Sequence, residues 1–256
     1  MQMERPVARL IRRLSSAFLL CMFCMSAAAD ARRNQIINPE QFIDAAGVWP
    51  LPANIPVCWE KTDSDYSIEK GWVESTVRTQ IEAAADVRFL PKNGPWPVCA
   101  DQEYGIRIQI ADERPRSDVG RQFKRDENGN LIKDSWGRPI AAPTRMVLNF
   151  DFYLEVRFRR CLTDPDLGRE HCIRAIALHE MLHALAFLHE HLRPDADKEC
   201  KAKYPGHDEF KGFNPKFADS DYDPDSHVNY CAGLYRKPIR LSDGDIWMLK
   251  HLYDVQ

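Results

Sequence analysis

Several features that would assign this 256-residue chain to large protein classes are missing. Lysine plus arginine do not exceed aspartate plus glutamate, 35 against 38, so there is no basic footprint for nucleic acid. Beyond the N-terminal apolar run, which holds Cys21 and Cys24, no cysteine has a CxxC neighbour, which argues against a zinc site built from thiolates. The acidic run from Asp219 to Asp225 lacks EF-hand spacing and reads as a solvated loop. No internal repeat and no cysteine-containing latency switch is read along the chain. Nor does a spanning segment stand out beyond the N-terminus: the apolar run Ser15 to Ala29 has 15 residues, short of the ~20 that cross a bilayer as a helix.

What that run does fit is export. Arg5, Arg9, Arg12 and Arg13 precede it, and Ala27 and Ala29 supply small residues before a cleavage point at Asp30. Residues 1–29 are therefore predicted to be a signal peptide, directing the protein to the periplasm or the extracellular space with no membrane anchor left after cleavage. Removal takes away four arginines and one glutamate, so the formal charge of −3 becomes −6. The six remaining cysteines, Cys58, Cys99, Cys161, Cys172, Cys200 and Cys231, form an even set in an exported chain and predict three disulfides. Many pairings are open; sequence neighbours are the expected ones.

Residues 30–48 read as a short lead-in to one domain over 49–256. The prolines and β-formers of 49–59 suggest an edge strand. Val73, Val77, Ile81 and Ala84 recur at helical spacing. Val87 with Phe89, and Ile106, Ile108 and Ile110, alternate as strands do, and Met146 to Phe150 reads as another strand. Between the last two lies a polar insertion, Arg121 to Thr144, which an Asn-Gly pair makes either a protruding hairpin or a surface loop. Ser242 and Asp245 open a last helix carrying Ile246, Leu249, Leu252 and Tyr253. The predicted class is α+β: a twisted mixed sheet with a backing helix and an active-site helix, then a loop-rich lobe closed by a helix.

The chemistry concentrates in HEMLHALAFLH, residues 179–189. His179 and His183 are four apart, so on a helix both project from one face a turn apart. Glu180 follows the first histidine, where a carboxylate reaches a water on the metal instead of the metal itself. His189 requires the chain to turn back after His183, and Ala186 stands where that turn falls. The generic HExxH pattern recurs by chance in long helices; the third histidine at this spacing makes the pattern specific. The bland alternative, incidental surface histidines, fits this spacing poorly. His171, His207, His227 and His251 show no ligand spacing and read as ordinary residues. Glu190 and His191 read as support for the site or as solvent-facing, and Arg193 with Asp195 as structural charges beyond the third histidine.

With HEH at 189–191 and RPD at 193–195, this stretch resembles the astacin-like branch of the metzincin zinc endopeptidases. SHVNY at 226–230 resembles the family's Met-turn, and LSDGDI at 241–246 with Leu252 and Tyr253 resembles its C-terminal helix. IPVCW (55–59) and GIRIQI (105–110) resemble bacterial-type members, so the likeness covers about 49–255. It implies one zinc per chain held by His179, His183 and His189, with Glu180 as general base and Tyr230 as a phenol that approaches the metal or the oxyanion. It also implies protein or peptide substrates that add antiparallel to a sheet edge, here Met146 to Phe150; the chain itself is expected to be a monomer. Two positions depart from the family: Ala186 for glycine and Val228 for the Met-turn methionine. They motivate an alternative, a catalytically weak or inactive zinc-binding scaffold that recognises proteins; a zinc amidase acting on cell-wall peptides is a further one.

Overall fold

A computed structural model describes residues 43–100, 104–205, 215–216 and 221–254, all within one unit, Glu40–Gln256. The expected signal peptide, 1–29, lies outside the described residues. None of the described helices is long and apolar enough to cross a membrane.

The strands among these residues are β1 (Ile43–Asp44), β2 (Ala53–Trp59), β3 (Val87–Leu90), β4 (Gly105–Ile110), β5 (Arg116–Ser117), β6 (Gln122–Phe123), β7 (Ala141–Leu148) and β8 (Pro215–Lys216). The helices are α1 (Ser67–Val77), α2 (Arg160–Thr163), α3 (Arg169–Ala184), α4 (Lys198–Lys203) and α5 (Asp243–Tyr253). The main sheet runs β3-β2-β4-β7-β5, with β6 also on β7. β2, β3, β4 and β7 pair parallel, whereas β5 and β6 pair antiparallel to β7. α1 and a π-helical turn over Arg78–Glu82 cover one face, and α3 packs beside α1 through Arg174, which donates to the Trp72 carbonyl (3.0 Å) and Thr76 Oγ1 (2.9 Å). Val73, Val77 and Ile81, spaced by four, meet Ile55, Val57, Phe89, Ile106, Ile108, Ile173 and Ile176 in the core. The α+β architecture is as the periodicities indicate.

Three expectations need correction. β2 is not an edge strand but lies between β3 and β4. It tolerates Pro56 because it pairs with β3 over Ala53–Pro56 and with β4 over Val57–Trp59, so the missing N–H falls where the partner changes. β7 starts earlier and ends earlier than Met146 to Phe150, and it is not the free edge. β5 covers it, with Arg116 opposite Val147 and Ser117 opposite Met146, so the outer strand beside the cleft is β5. Finally, the insertion holds an eight-residue repeat: Asp126, Gly129 and Ile132 recur as Asp134, Gly137 and Ile140. In each copy the aspartate Oδ1 accepts two amides, from Asn128 and Asn130 and then from Trp136 and Arg138, and the glycine sits at φ 82° or 78°. Lys124 donates to Ile140 (2.8 Å), Ile140 to Ile132 (2.9 Å) and Ile132 to Lys124 (2.9 Å), closing a ring of backbone bonds.

The six cysteines pair as sequence neighbours: Cys58 with Cys99, Cys161 with Cys172, and Cys200 with Cys231. The second pair fastens α2 to α3, and the third fastens α4 to the turn at Tyr230.

The C-terminal end of α3 is the point on which distant segments converge. A helix ends with carbonyls that lack intrahelical partners, and here each is met from elsewhere. Gly120 N donates to the His183 carbonyl (2.8 Å), Trp49 Nε1 to Ala184 (2.8 Å), Tyr253 Oη to Leu185 (3.0 Å) and Asp44 N to Ala186 (2.8 Å). Gly120, at φ 65°, is pressed so close to Gly47 that a Cβ would lie 2.4 Å from the Gly47 carbonyl oxygen. No larger residue fits without separating the β5–β6 strap from the end of this helix.

Candidate active site

α3 carries His179, Glu180 and His183 on one buried stretch. Beyond Ala184 the chain turns back through Ala186 at φ 76°. Ala186 N bonds the His183 carbonyl (2.8 Å) and Phe187 N bonds Leu182 (3.0 Å), the two bonds of a Schellman ending. This reversal carries His189 over the helix. An L-residue in the left-handed region costs on the order of 1 kcal/mol, partly offset by the chain entropy that glycine would bring. Ala186→Gly is expected to stabilise the protein by about 0.5 kcal/mol, read as a rise in urea midpoint at unchanged m-value; a fall in midpoint would contradict the strain.

The three imidazoles meet through their Nε2 atoms: His183 to His179 is 3.1 Å, His183 to His189 is 3.1 Å and His179 to His189 is 3.4 Å. His179 Nδ1 donates to the His227 carbonyl (2.9 Å) and His183 Nδ1 to the Phe187 carbonyl (2.8 Å). A carbonyl can only accept, so these bonds fix the tautomer and aim both Nε2 lone pairs inward. Three nitrogens bound to one tetrahedral zinc at ~2.0–2.1 Å lie about 3.3 Å apart. The donor chemistry and the spacing fit such an ion. Among the described residues this trio is the group able to hold a metal.

Burial governs the electrostatics. It pushes His179 and His189 well below the ordinary 6.5, aided by the neighbouring imidazoles, and lowers His227 as well. Burial raises Glu180 from 4.5 to about 8, with Arg114 and Arg116 opposing. In the metal-free protein these act on opposite limbs. Below pH 6.5 the unfolded chain takes up protons that the folded imidazoles refuse, so stability falls as pH drops. Above pH 4.5 and up to about 8 the folded Glu180 keeps a proton that the unfolded chain has lost, so stability falls as pH rises. Thermal melts of the metal-free protein are therefore expected to peak near pH 6.5, and Glu180→Gln to flatten the alkaline side. A monotonic profile across pH 5–8 would contradict this.

Tyr230 opens a 3-10 turn capped by Asn229, whose Oδ1 accepts from Cys231 N (3.0 Å). Its ring stacks on His191 (4.5 Å, 21°) and lies 4.5 Å from that of His189 and 5.7 Å from that of His179. Val228 is buried just before it. The structure thus brings together all five residues singled out in the sequence. Two more were missed. His227, read as an ordinary loop residue, is buried; its Nε2 bonds the Ala175 carbonyl (2.9 Å), and its own carbonyl holds His179. Asp245, seen only as a helix cap, accepts from His227 N (2.9 Å) and Ser226 Oγ (2.9 Å) as well as from Ser242 N (2.9 Å). Glu190 and His191 do not face solvent; both are buried. Arg193 is 2 % exposed between Glu190 (3.4 Å) and Asp195 (2.8 Å).

The cleft divides at Glu180 and Tyr230. On one side a cavity of about 340 Å³ is lined by Pro115, Ser117, Val119, His183, Leu188 and His189. On the other, one of about 190 Å³ is lined by Arg157, Phe158, Ile176, His179, Tyr204 and Leu234. Arg114 and Pro115 border both.

A model of the astacin family of peptidases matches residues 166–224. No curated protein matches the chain. Among solved structures, one of myroilysin is 14% identical, covers 84% of this chain and 99% of its own, and has a TM-score of 0.46. A second myroilysin structure is 17% identical over 85% of this chain and 88% of its own, at 0.38. The matched segment contains His179, Glu180, His183 and His189, so it is over the helix and turn that carry these residues that the chain is similar to the astacin peptidases.

Proposed function

We propose that this is an exported zinc endopeptidase in which His179, His183 and His189 hold one zinc ion, Glu180 is the general base and Tyr230 assists the oxyanion. The observation that carries this reading is the meeting of three Nε2 atoms at 3.1–3.4 Å with Glu180 next in sequence to the first. A zinc ion bound there supplies a Lewis acid and an acidified water. Glu180, buried and at the division of the cleft, takes the proton of the attacking water and passes it to the leaving amine. Tyr230 donates its hydroxyl to the oxygen that becomes negative as the peptide carbonyl is attacked. β5 offers backbone for an extended substrate, and the guanidiniums of Arg114 and Arg157 favour acidic side chains near the scissile bond. Residues 1–29 act as the signal peptide, 30–48 lead in, and 49–256 form the peptidase domain. The three disulfides suit an oxidising compartment.

The test is digestion of a proteome-derived peptide library by the full-length mature protein. Cleavage abolished by a chelator and restored by zinc is expected, with Asp and Glu enriched beside the cuts and one zinc per chain lost in His183→Ala. Zinc bound without cleavage would favour the non-enzymatic scaffold. Cleavage indifferent to chelation would overturn the metal assignment.

A further inference from the structure

Between β7 and α2 runs a loop whose backbone is held by a network of side-chain acceptors while three of its apolar side chains face water. Asn149 Oδ1 accepts the amides of Asp151 (2.9 Å) and Phe152 (2.8 Å), and Asp112 Oδ2 accepts those of Tyr153 (3.1 Å) and Leu154 (3.0 Å). Asn149 Nδ2 in turn donates to Asp112 Oδ1 (2.9 Å), so the two side chains brace each other. Phe152, at φ 58° and fully buried, stacks on Phe158 (6.4 Å, 29°). Four consecutive amides are thus fixed, yet Tyr153, Leu154 and Val156 are 64%, 76% and 69% exposed.

Three large apolar side chains exposed within four residues of one braced loop are more than the scattered single exposures that need no explanation. The same loop continues as Arg157 and Phe158 into the wall of the cleft, beside His179, Glu180 and Tyr230. We propose that Tyr153, Leu154 and Val156 form an extension of the substrate site, binding apolar side chains of the substrate a few residues from the scissile bond on the Arg157 side. This rests on the peptidase reading above. A rigid platform suits that occupant, because little loop entropy is lost on binding, and an extended peptide leaving the cleft advances about 3.3 Å per residue along the rim.

The experiment uses the zinc-loaded mature protein and a quenched fluorogenic core peptide with one scissile bond. The peptide is extended at either end by Leu-Leu or by Ser-Ser. For the wild type, Leu-Leu at one end should raise kcat/KM about five- to tenfold over Ser-Ser, mainly through KM. Tyr153→Ser with Leu154→Ser should abolish that gain and leave turnover of the core peptide unchanged. Val156→Ser, made separately, gives a partial loss and guards against misfolding of the double variant. Equal gains in wild type and variants, or no gain at either end, would overturn the proposal while the peptidase reading stands. Failure of the zinc-loaded protein to cut the core peptide would overturn both. Binding to phosphatidylcholine or phosphatidylglycerol vesicles that the serine variants lose, without an extension effect, would assign the loop to a lipid surface and overturn the proposal.

Discussion

Glu180→Gln is expected to lower kcat by about 10²–10⁴-fold while the protein keeps one zinc per chain and its melting temperature. The substitution is nearly isosteric, so packing in this buried stretch of α3 is preserved. It removes only the capacity to accept a proton. Burial, outweighing the opposing pull of Arg114 and Arg116, raises this carboxyl to about 8. A dication beside the group favours the carboxylate further, because nearby positive charge stabilises the ionised form. Glutamine gains nothing from that field, so on the proposed mechanism the variant loses the base and keeps the three imidazoles. Metal analysis and peptide turnover on the same preparation separate the two effects. Turnover within threefold of wild type in the metal-replete variant would remove Glu180 from the mechanism.

How much of this could be read from the residues alone depended on the range of the interaction. The histidine spacing was legible because one helix turn places His179 and His183 together whatever surrounds them, and the turn to His189 follows from sequence distance. Val73, Val77 and Ile81 announced a backing helix for the same local reason, and neighbouring cysteines found one another. What stayed hidden is carried by backbone. β5 and β6 are two residues each, too short to show alternation, so nothing in Arg116 and Ser117 indicated that they cover Met146 and Val147. The repeat at Asp126 and Asp134 spans eight residues, below the periods by which solenoids are recognised. His227 holds His179 through a carbonyl, which every residue type possesses. Asp245 was visible as the third residue of a capping box, and that motif says nothing of the two further bonds it accepts from Ser226 and His227.

Arg193→Met should cost about 3–5 kcal/mol of stability, the penalty typical of breaking a buried ion pair by removing one partner. Arg193 and Glu190 are 2% and 1% exposed in their side chains and approach to 3.4 Å, and Arg193 also clamps Asp195 through Nε and Nη2 at 2.8 Å each. Glu190 accepts Asp223 N (2.9 Å), and its own amide bonds the Val228 carbonyl (3.3 Å), so it joins the segment after His189 to the segment before Tyr230. Methionine keeps roughly the volume and stem of arginine but leaves the Glu190 carboxylate buried without the guanidinium. At ~2–4 °C per kcal/mol for a chain of this size, the melting temperature should fall by about 10 °C. Because Glu190 adjoins His189, zinc affinity should fall as well, about tenfold or more, as when groups that support metal ligands are removed. Adding Glu190→Leu to Arg193→Met removes the stranded charge and should recover most of the stability but not the zinc affinity. A single variant that melts within a degree of wild type would show that this pair does not hold the two segments together.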